Sequence, residues 1–538
     1  MMNDFTEDTV GRKAMQILIM DRTLTTEITG DFSLPDYQPE IKRLLRIGTN
    51  VLPPNRFAGS NGAELQGMLD YFVLYMGHDN NVYCAPLAAE YSLQAEPDAE
   101  GRSLLSTAGE PFICICDAMA EPPVGRVTAP RRLNIRCRIK ADVKLYGEYP
   151  LENEFNEDAT LEQLTETVEI GRTYWGLGET MPLQDDVILS PSDGEWRVVC
   201  AEGKVMITEA TPSIGSVACR GDVALKLTLC PAESEAAFSS DAEEVHGSPA
   251  LTILQRKIPF SYTVEAEGVT PSCAAAACGY CTDISVEMED GHLHVELGMV
   301  GEIRAQKNEA VTYVKDLYSI RREDDCRYST YPALHALHAL NGNFTLSDSQ
   351  ALSEVGIDPA SIIADVTAVA QPEGLTADRA KGRCLLTGIC RCHLLLLRDG
   401  EYSSADMTLP FRYEFDDPAL LRAESTAPDP HFDGAVTVVN CRARMDGERV
   451  GVDAELAVAL RTHASKPLTV LAEPNFGDEV SRRRGEYVIC FPAPTDTLWS
   501  VAKRYHAPMA ALTAANNLPS GANVDSRESL EGIGYLIV

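Results

Sequence analysis

The chain lacks any long hydrophobic run. None of its 538 residues belongs to a stretch of about 18 apolar residues, which is the length that a membrane-spanning helix needs. Near the N-terminus the longest apolar run, Ile17–Met20, is too short for the core of a signal peptide, and acidic residues precede it. We therefore expect no transmembrane segment and a cytoplasmic location.

Basic residues are scarce relative to acidic ones. Lys and Arg total 46 against 80 Asp and Glu, so the formal net charge is −34. A charge of this sign repels the phosphates of nucleic acids, and we expect no nucleic acid among the partners. The hydrophobic share of 45% and the charged share of 23% are those of a folded globular protein, which excludes a chain that is disordered throughout.

The familiar catalytic motifs are missing as well. The chain contains no Walker phosphate loop, no His-Glu-x-x-His, no Gly-x-Ser-x-Gly and no Gly-x-Gly-x-x-Gly. The nearest candidate is Cys278-Gly-Tyr-Cys281, whose spacing suits a redox pair or half a zinc site, with Cys273, His292 and His294 nearby. Packing is the alternative role for these residues. We expect no enzymatic activity, no metal and no other cofactor, and keep a thiol or metal enzyme as a minority hypothesis.

Other cysteine and histidine pairs have the spacing of core residues. Cysteines two positions apart share one face of a strand, which predicts buried thiols at Cys114 and Cys116 and at Cys390 and Cys392. The histidines in Leu334–Leu340 are three positions apart, which favours a helical surface or a partly buried pair.

Three β-rich segments of similar sequence begin with glycine, at a spacing of whole domains: Gly67–Tyr75, Gly221–Cys230 and Gly388–Leu397. After each segment comes a second β-rich run with a shared tyrosine: Tyr91, Tyr262 and Tyr413. Each copy then has a hairpin in which apolar and polar residues alternate. Alternation with a period of two predicts antiparallel strands with one buried face.

The sequence thus predicts a mainly β fold, with three tandem β-sandwich-like repeat domains followed by a small βααβ domain. We place an N-terminal segment at 1–27, the repeats at 28–174, 175–331 and 332–474, a linker at 475–486 and the last domain at 487–538. In the first repeat, Leu34–Leu45 predicts a turn and then a short helix that begins at Pro39. In the linker, Arg482–Arg484 predicts a solvated hinge.

The C-terminal 52 residues have the clearest pattern. A strand at Tyr487–Phe491 precedes two helices, the second of which begins at Pro508, and a strand at Tyr535–Val538 closes the unit. The first helix has an apolar face at the spacing i, i+3, i+4 and i+7, formed by Leu498, Val501, Ala502 and Tyr505.

This pattern strongly resembles a LysM domain over residues 487–538. LysM modules usually bind glycans that contain N-acetylglucosamine, in a groove between the loop before helix one and the loop after helix two. Those loops correspond to Pro494–Leu498 and Asn516–Ser520. The resemblance implies a binding site formed by Thr495, Asp496, Thr497, Leu498, Trp499, Asn516, Asn517 and Leu518. Thr495 stands where the family usually has glycine, and because a side chain hinders close backbone approach we expect weak glycan binding.

Trp499 lies off the apolar face of the first helix. An exposed tryptophan is a common anchor of protein interfaces, so Trp499 is our candidate for contact with a protein partner. The alternative is that Trp499 packs against the linker or the third repeat.

The repeats resemble the SPOCS domain of spore-coat proteins. The resemblance rests on Leu34-Pro-Asp, Pro39-Glu-Ile, the glycine-led strands, Ile258–Ser261 and Lys315–Ser319. Three such repeats before a LysM domain are similar to the SipL-type family of spore-coat morphogenetic proteins. That resemblance implies a non-enzymatic scaffold in the mother-cell cytoplasm, at the forespore surface, whose LysM domain binds the coat-basement morphogenetic ATPase, a SpoIVA-like protein. Binding of peptidoglycan or a chitin-like glycan at the spore cortex is the alternative.

We predict that most of the 16 cysteines are reduced in freshly made protein, because a cytoplasm keeps thiols reduced. Titration of free thiols under denaturing conditions, with a fully reduced sample as the reference, measures this. A majority held in native intramolecular disulfides would contradict the expected location.

Overall fold

The computed structural model describes residues 13–151, 155, 160–189, 196–231, 250–289, 292–422, 430–480, 488–519 and 523–538. Over these ranges the fold is mainly β, with several sheets and a small helical region at the C-terminus, which confirms the predicted fold class. The predicted hinge Arg482–Arg484 lies outside the described residues.

The first unit comprises residues 13–151. Its elements are β1 (Lys13–Ser33), β2 (Ile41–Val51), β3 (Asn55–Gly59), β4 (Gly62–Gly77), β5 (Val82–Ala95), α1 (Ala99–Thr107), β6 (Gly109–Ala120), β7 (Val124–Ala129) and β8 (Arg132–Leu151). A smaller sheet contains β2 to β5, and β1 and β6 to β8 belong to a larger one.

The second unit, residues 160–319, follows the same plan. Its elements are β9 (Leu161–Leu177), β10 (Met181–Ile188), β11 (Trp196–Ser213), β12 (Ser216–Pro231), β13 (Thr252–Glu265), β14 (Ala274–Glu289) and β15 (His292–Ser319). The strands β11 to β13 form one sheet, and the long strand β15 pairs with β9, β10 and β14 in the other.

The third unit, residues 327–473, repeats the plan again. Before it lies β16 (Arg322–Asp324), and its elements are β17 (Arg327–Ala351), α2 (Leu352–Val355), β18 (Ile362–Asp378), β19 (Arg383–Arg398), β20 (Glu401–Asp416), β21 (His431–Asp446) and β22 (Arg449–Glu473). The strands β18 to β20 form its smaller sheet, while β17, β21 and β22 join the larger sheet of the first unit, where β17 lies beside β1. Next, β23 (Phe476–Glu479) pairs with β16.

The C-terminal module, residues 488–538, contains β24 (Ile489–Cys490), α3 (Leu498–Arg504), α4 (Met509–Ala515) and β25 (Leu536–Ile537). Its strands pair antiparallel, so the predicted βααβ order is observed.

Each unit buries a hydrophobic core between its two sheets, as the alternating sequence requires. In the second unit, for example, Leu225 of the small sheet and Leu293 of the large sheet are both buried in one cluster. The glycines that begin the repeated segments have a steric role. Gly67 pairs with Tyr91 across the sheet, and a Cβ at Gly67 would lie 2.3 Å from the tyrosine ring. Gly388 pairs with Phe411 and has the same constraint, at 2.5 Å.

The predicted repeat boundaries at 27/28, 174/175 and 331/332 fall inside β1, β9 and β17. Hydrogen bonding therefore groups the described residues into units that begin at residues 13, 160 and 327, before each predicted boundary. The first residues of the predicted linker are in β23, paired with β16. The division into three related repeats stays a prediction.

The predicted helix at Pro39 is wrong, because residues Ile41–Val51 form β2 and pair with β4. Ile41 is buried in the core of the first unit, whereas Leu45 is buried in a separate cluster with Leu74 and Cys200, so the strand is buried on both faces. Proline can stand at the start of a helix or of a strand, so Pro39 did not distinguish the two structures. The histidines His335 and His338 likewise lie in a strand, β17, where a bulge separates them and both are partly buried.

Arg461 on β22 joins all three units. Its side chain is fully buried and forms an ion pair with Asp433 of the third unit, with 2.6 Å between Nη2 and Oδ2. It also donates to the Tyr146 hydroxyl of the first unit, at 3.0 Å, and to the Thr173 hydroxyl of the second unit, at 2.6 Å. Near Arg461, the side chain of Arg304 on β15 contacts Asp117 of β6, with 2.7 Å between Nη2 and Oδ1.

His463 lies beside this junction and is also fully buried. Neither of its ring nitrogens has a hydrogen-bond partner among the described residues. Burial, and then the positive charge of Arg461, lower the pKa of His463 to about 3 from its ordinary value of 6.5. The imidazole is therefore neutral near pH 7 in the folded protein.

We predict that His463→Phe becomes more stable relative to the wild type as the pH falls. The wild type loses stability below the unfolded-state pKa because only the unfolded chain takes up the proton. The phenylalanine side chain takes up no proton, so the variant does not have this pH-dependent loss of stability. The difference in free energy of unfolding should grow by about 2 kcal/mol between pH 7.5 and pH 5, measured by urea unfolding. His78→Phe, at an exposed position, is the control, and parallel profiles for wild type and His463→Phe would contradict the assignment.

Candidate functional site

The loop before α3 is fixed by its own side chains. Thr497 caps α3 by accepting a hydrogen bond from the Ser500 amide at 3.1 Å, and the Ser500 hydroxyl accepts from the Thr497 amide at 2.9 Å. Asp496 is buried, accepts from the Ala493 amide at 2.9 Å and pairs with Arg504. The hydrogen bond from Arg504 lowers the pKa of Asp496. Asp496 and Thr497 thus hold the loop in shape.

The loop after α4 depends on Asn516. Its side-chain amide donates to the carbonyls of Leu512 and Ile537, each at 2.8 Å, and accepts from the Ile537 amide at 2.7 Å. These bonds tie the end of α4 to β25. The next residue, Asn517, has a left-handed backbone with φ of 51° and is exposed. Ser520, at the end of the predicted loop, lies outside the described residues.

The eight predicted site residues therefore separate into two groups. Thr495 and Asn517 are exposed, and Thr497, Asn516 and Leu518 are partly exposed. Asp496, Leu498 and Trp499 are buried, with Leu498 in the core of the module. The side chains with free surface are those at the tips of the two loops.

Trp499 is 5% exposed because the module is docked on the second unit. Its ring meets that of Tyr318 edge-to-face at a centroid distance of 5.0 Å, and its indole nitrogen donates to Asp316 at 2.7 Å. The prediction of an exposed Trp499 is wrong. Packing was the alternative we weighed, but the surface that covers Trp499 is the end of β15 rather than the linker or the third repeat.

Asp316 is the centre of this docking surface. Besides Trp499, it accepts from Lys503 of α3, with 2.6 Å between Nζ and Oδ1, and from the Tyr328 hydroxyl. Lys503 also lies 3.3 Å from Asp324 of β16. Burial opposes the charge of Lys503, yet the hydrogen bond to Asp316 prevails and raises the pKa of Lys503.

Residues around Asp316 extend the contact. The Tyr318 hydroxyl donates to the Ala507 carbonyl at 2.7 Å, and His506 Nδ1 lies 2.8 Å from the Ser319 carbonyl oxygen. Lys315 pairs with Asp525 at 2.9 Å. The segment Lys315–Ser319, on which part of the resemblance to SPOCS domains rests, therefore forms the surface on which the module docks. Sequence reasoning did not connect the two, because nothing in either segment marks its partner.

The outer face of the module's sheet is apolar and open. Cys490 and Leu536 point into the module core, so their neighbours Ile489, Phe491 and Tyr535 point outward and are 59%, 75% and 56% exposed. With Ile537 they line a shallow apolar depression. Sequence analysis missed this face, although the alternation in the two short strands was a usable signal.

A second concave site lies where the small sheets of the three units meet. Its volume is about 1190 Å³, and residues of all three units line it. An ion network crosses its wall, with Arg46 of the first unit 2.9 Å from Glu202 of the second and 3.6 Å from Asp365 of the third. Burial opposes the charge of Glu202, but Arg46 lowers its pKa to about 2. These residues are far apart in sequence, so no local pattern predicted the cavity.

The cysteine and histidine pairs of the minority hypothesis do not converge on one point. Cys278 and Cys281 lie three residues apart on β14, so they point to opposite faces of the sheet. Burial raises the pKa of the Cys278 thiol to about 12 and that of the Cys281 thiol to about 11. Among the described residues, no group of three or more histidine, cysteine, aspartate or glutamate side chains has the arrangement of a metal site.

The decisive comparison concerns the C-terminal module. The family model for the LysM domain matches residues 493–525. This match covers the loop before α3, both helices and the loop after α4, so the module is a LysM module. No curated protein and no solved structure matches the chain. No helix of the described residues is long and apolar enough to cross a membrane.

We predict that Asp316→Ala weakens docking of the LysM module by about 2 kcal/mol, because Lys503 and the Trp499 indole lose a charged acceptor. Tryptophan emission should shift to the red and acrylamide should quench it more strongly. Asp446→Ala, at the exposed end of β21 in the third unit, is the control, and Trp499→Phe in the Asp316→Ala background should abolish the difference. Unchanged quenching in Asp316→Ala would show that Asp316 does not hold the module.

Proposed function

We propose that the chain is a non-enzymatic scaffold that presents a LysM module to a protein partner. The observation that carries this proposal is the placement of the module. It is anchored through Trp499 and Lys503 to the end of β15, while the apolar face of Ile489, Phe491 and Tyr535 stays open. A fixed module with an open apolar face suits an adaptor, because its binding surface is held in one orientation and loses little entropy on binding.

The partner we propose is a coat-basement morphogenetic ATPase of the SpoIVA-like kind, in the mother-cell cytoplasm at the forespore surface. This follows from the resemblance of the repeats to SPOCS domains and from the order of three repeats and a LysM module. Exposed aromatic residues in an apolar patch are typical anchors of protein interfaces, and Phe491 and Tyr535 are two of the four residues that line this depression.

Glycan binding is the second candidate, favoured by the LysM match at residues 493–525. The residues available for it are the loop-tip side chains Thr495 and Asn517, which the docked arrangement leaves exposed. A peptidoglycan or chitin-like oligomer would be the ligand, and the side chain at Thr495 favours weak binding.

Two variants distinguish the candidates in the full-length protein. Phe491→Ser combined with Tyr535→Ser removes the apolar face, and we predict that it weakens binding of a purified SpoIVA-like ATPase at least about 10-fold, as loss of an anchor residue does. Asn517→Gly keeps the left-handed backbone, removes the loop-tip amide and should leave partner binding unchanged. Calorimetry with the ATPase and with chitin oligomers measures both.

The outcomes separate the two functions. The scaffold function is supported if the double variant loses ATPase binding while Asn517→Gly keeps it. Saturable chitin binding that Asn517→Gly abolishes, with no binding of the ATPase, would replace the scaffold with the glycan-binding function.

A further inference from the structure

Two cysteine thiols from different units touch each other. Cys84 lies on β5 of the first unit and Cys200 on β11 of the second, and their sulfur atoms are 3.2 Å apart. The residues are separated by 116 positions in sequence, so the contact is purely tertiary. A disulfide bond needs a sulfur–sulfur distance of about 2.05 Å, and the two atoms must therefore approach by little more than an ångström.

The surroundings hold the two strands in this arrangement. Arg197 of β11 stacks over the ring of Tyr83 at 4.7 Å and donates to the Val82 carbonyl at 2.8 Å. These contacts bind the start of β5 to β11, directly beside the thiols. The cluster around Cys200 also includes Leu74 of the first unit and Leu395 of the third, so the pair lies where all three units pack together.

The two thiols differ in access to solvent. Cys84 is partly exposed, whereas Cys200 is buried. A small oxidant can therefore reach Cys84, and the Cys200 sulfur lies 3.2 Å from the sulfur atom that would be oxidised. In a further pair, Cys390 and Cys392, both sulfurs are buried, 4.0 Å apart on a single strand. Its greater distance and lack of exposure make it a poorer candidate for oxidation than Cys84 and Cys200.

We propose that Cys84 and Cys200 form an oxidative modification site, at which a peroxide converts the two thiols into a disulfide that joins the first unit to the second. In the first step the Cys84 thiol loses its proton and the thiolate attacks a peroxide oxygen, which breaks the O–O bond and gives a sulfenic acid; the hydroxide that leaves from hydrogen peroxide takes up the thiol proton and becomes one water. In the second step the Cys200 sulfur displaces the hydroxyl group from Cys84 sulfur, and a second water leaves. The two thiols are oxidised by two electrons and the peroxide is reduced.

The second step requires the Cys200 sulfur as the nucleophile. The contact with Cys84, together with burial, raises the pKa of Cys200, so its thiolate is scarce at neutral pH. The reaction should therefore accelerate as the pH rises. The product closes a loop of 116 residues and restricts the unfolded chain, so the oxidised protein should unfold at a higher temperature than the reduced protein.

The experiment treats full-length reduced protein with hydrogen peroxide, blocks the remaining thiols and maps peptides without reductant. We expect a mass loss of about 2 Da before blocking and a peptide that links Cys84 to Cys200, which a thiol reductant removes. In Cys200→Ser, Cys84 should instead accumulate as a sulfenic acid that dimedone captures. Cys390→Ser is the matched control and should give the same linked peptide as the wild type.

Two results would overturn the proposal. One is the absence of the linked peptide after Cys84 has reacted. The other is equal dimedone capture at Cys84 in the wild type and in Cys200→Ser, since the second thiol would then take no part. Because the mapping is made on the wild type, the proposal can fail even if a variant does not fold.

Discussion

The assembly depends on one buried guanidinium group. Arg461 belongs to the third unit, yet its hydrogen-bond acceptors come from all three, in Asp433, Tyr146 and Thr173. A buried charge is very costly without partners, and two of the acceptors of Arg461 come from the first and second units. The three units therefore share one buried polar network, although each has its own hydrophobic core.

The fold accommodates the excess of acidic residues through where their carboxylates lie. Most carboxylates lie at the surface, where water screens their repulsion, and two that are fully buried or nearly so meet arginine or lysine from another unit. Glu302 contacts Arg56 at 2.8 Å, and Asp365 contacts Lys226 at 2.5 Å. Ion pairs that cross the junctions impose a direction and a distance, which an apolar contact of the same area does not. Two such networks and the apolar cluster around Cys200 fix the relative placement of the units.

The LysM module has its own helices and strands, yet part of its surface is buried by docking on the second unit. Its helices and strands lie within residues 488–538, but its tryptophan also packs against Tyr318 of the second unit. The docking contacts combine a charged acceptor, Asp316, with an aromatic pair, so the orientation of the module is set as well as its position. This orientation decides which surfaces a partner can reach, namely the loop tips and the outer face of the short sheet.

The sequence alone determined the β character, the glycine-led strands and the βααβ order of the module, because each of these follows from periodicity and steric demands within a short segment. It failed at Ile41–Val51, because the proline before this segment can begin a helix or precede a strand, and at Trp499, because the helical pattern placed this residue outside the apolar face and does not show what covers it. Only the tertiary structure decided that Arg461 joins three units, that Lys315–Ser319 receives the module, and that Cys84 meets Cys200. The residues in these contacts are separated by between 28 and 315 positions in the sequence. At such separations the packing of whole sheets, rather than any local pattern, decides which residues meet.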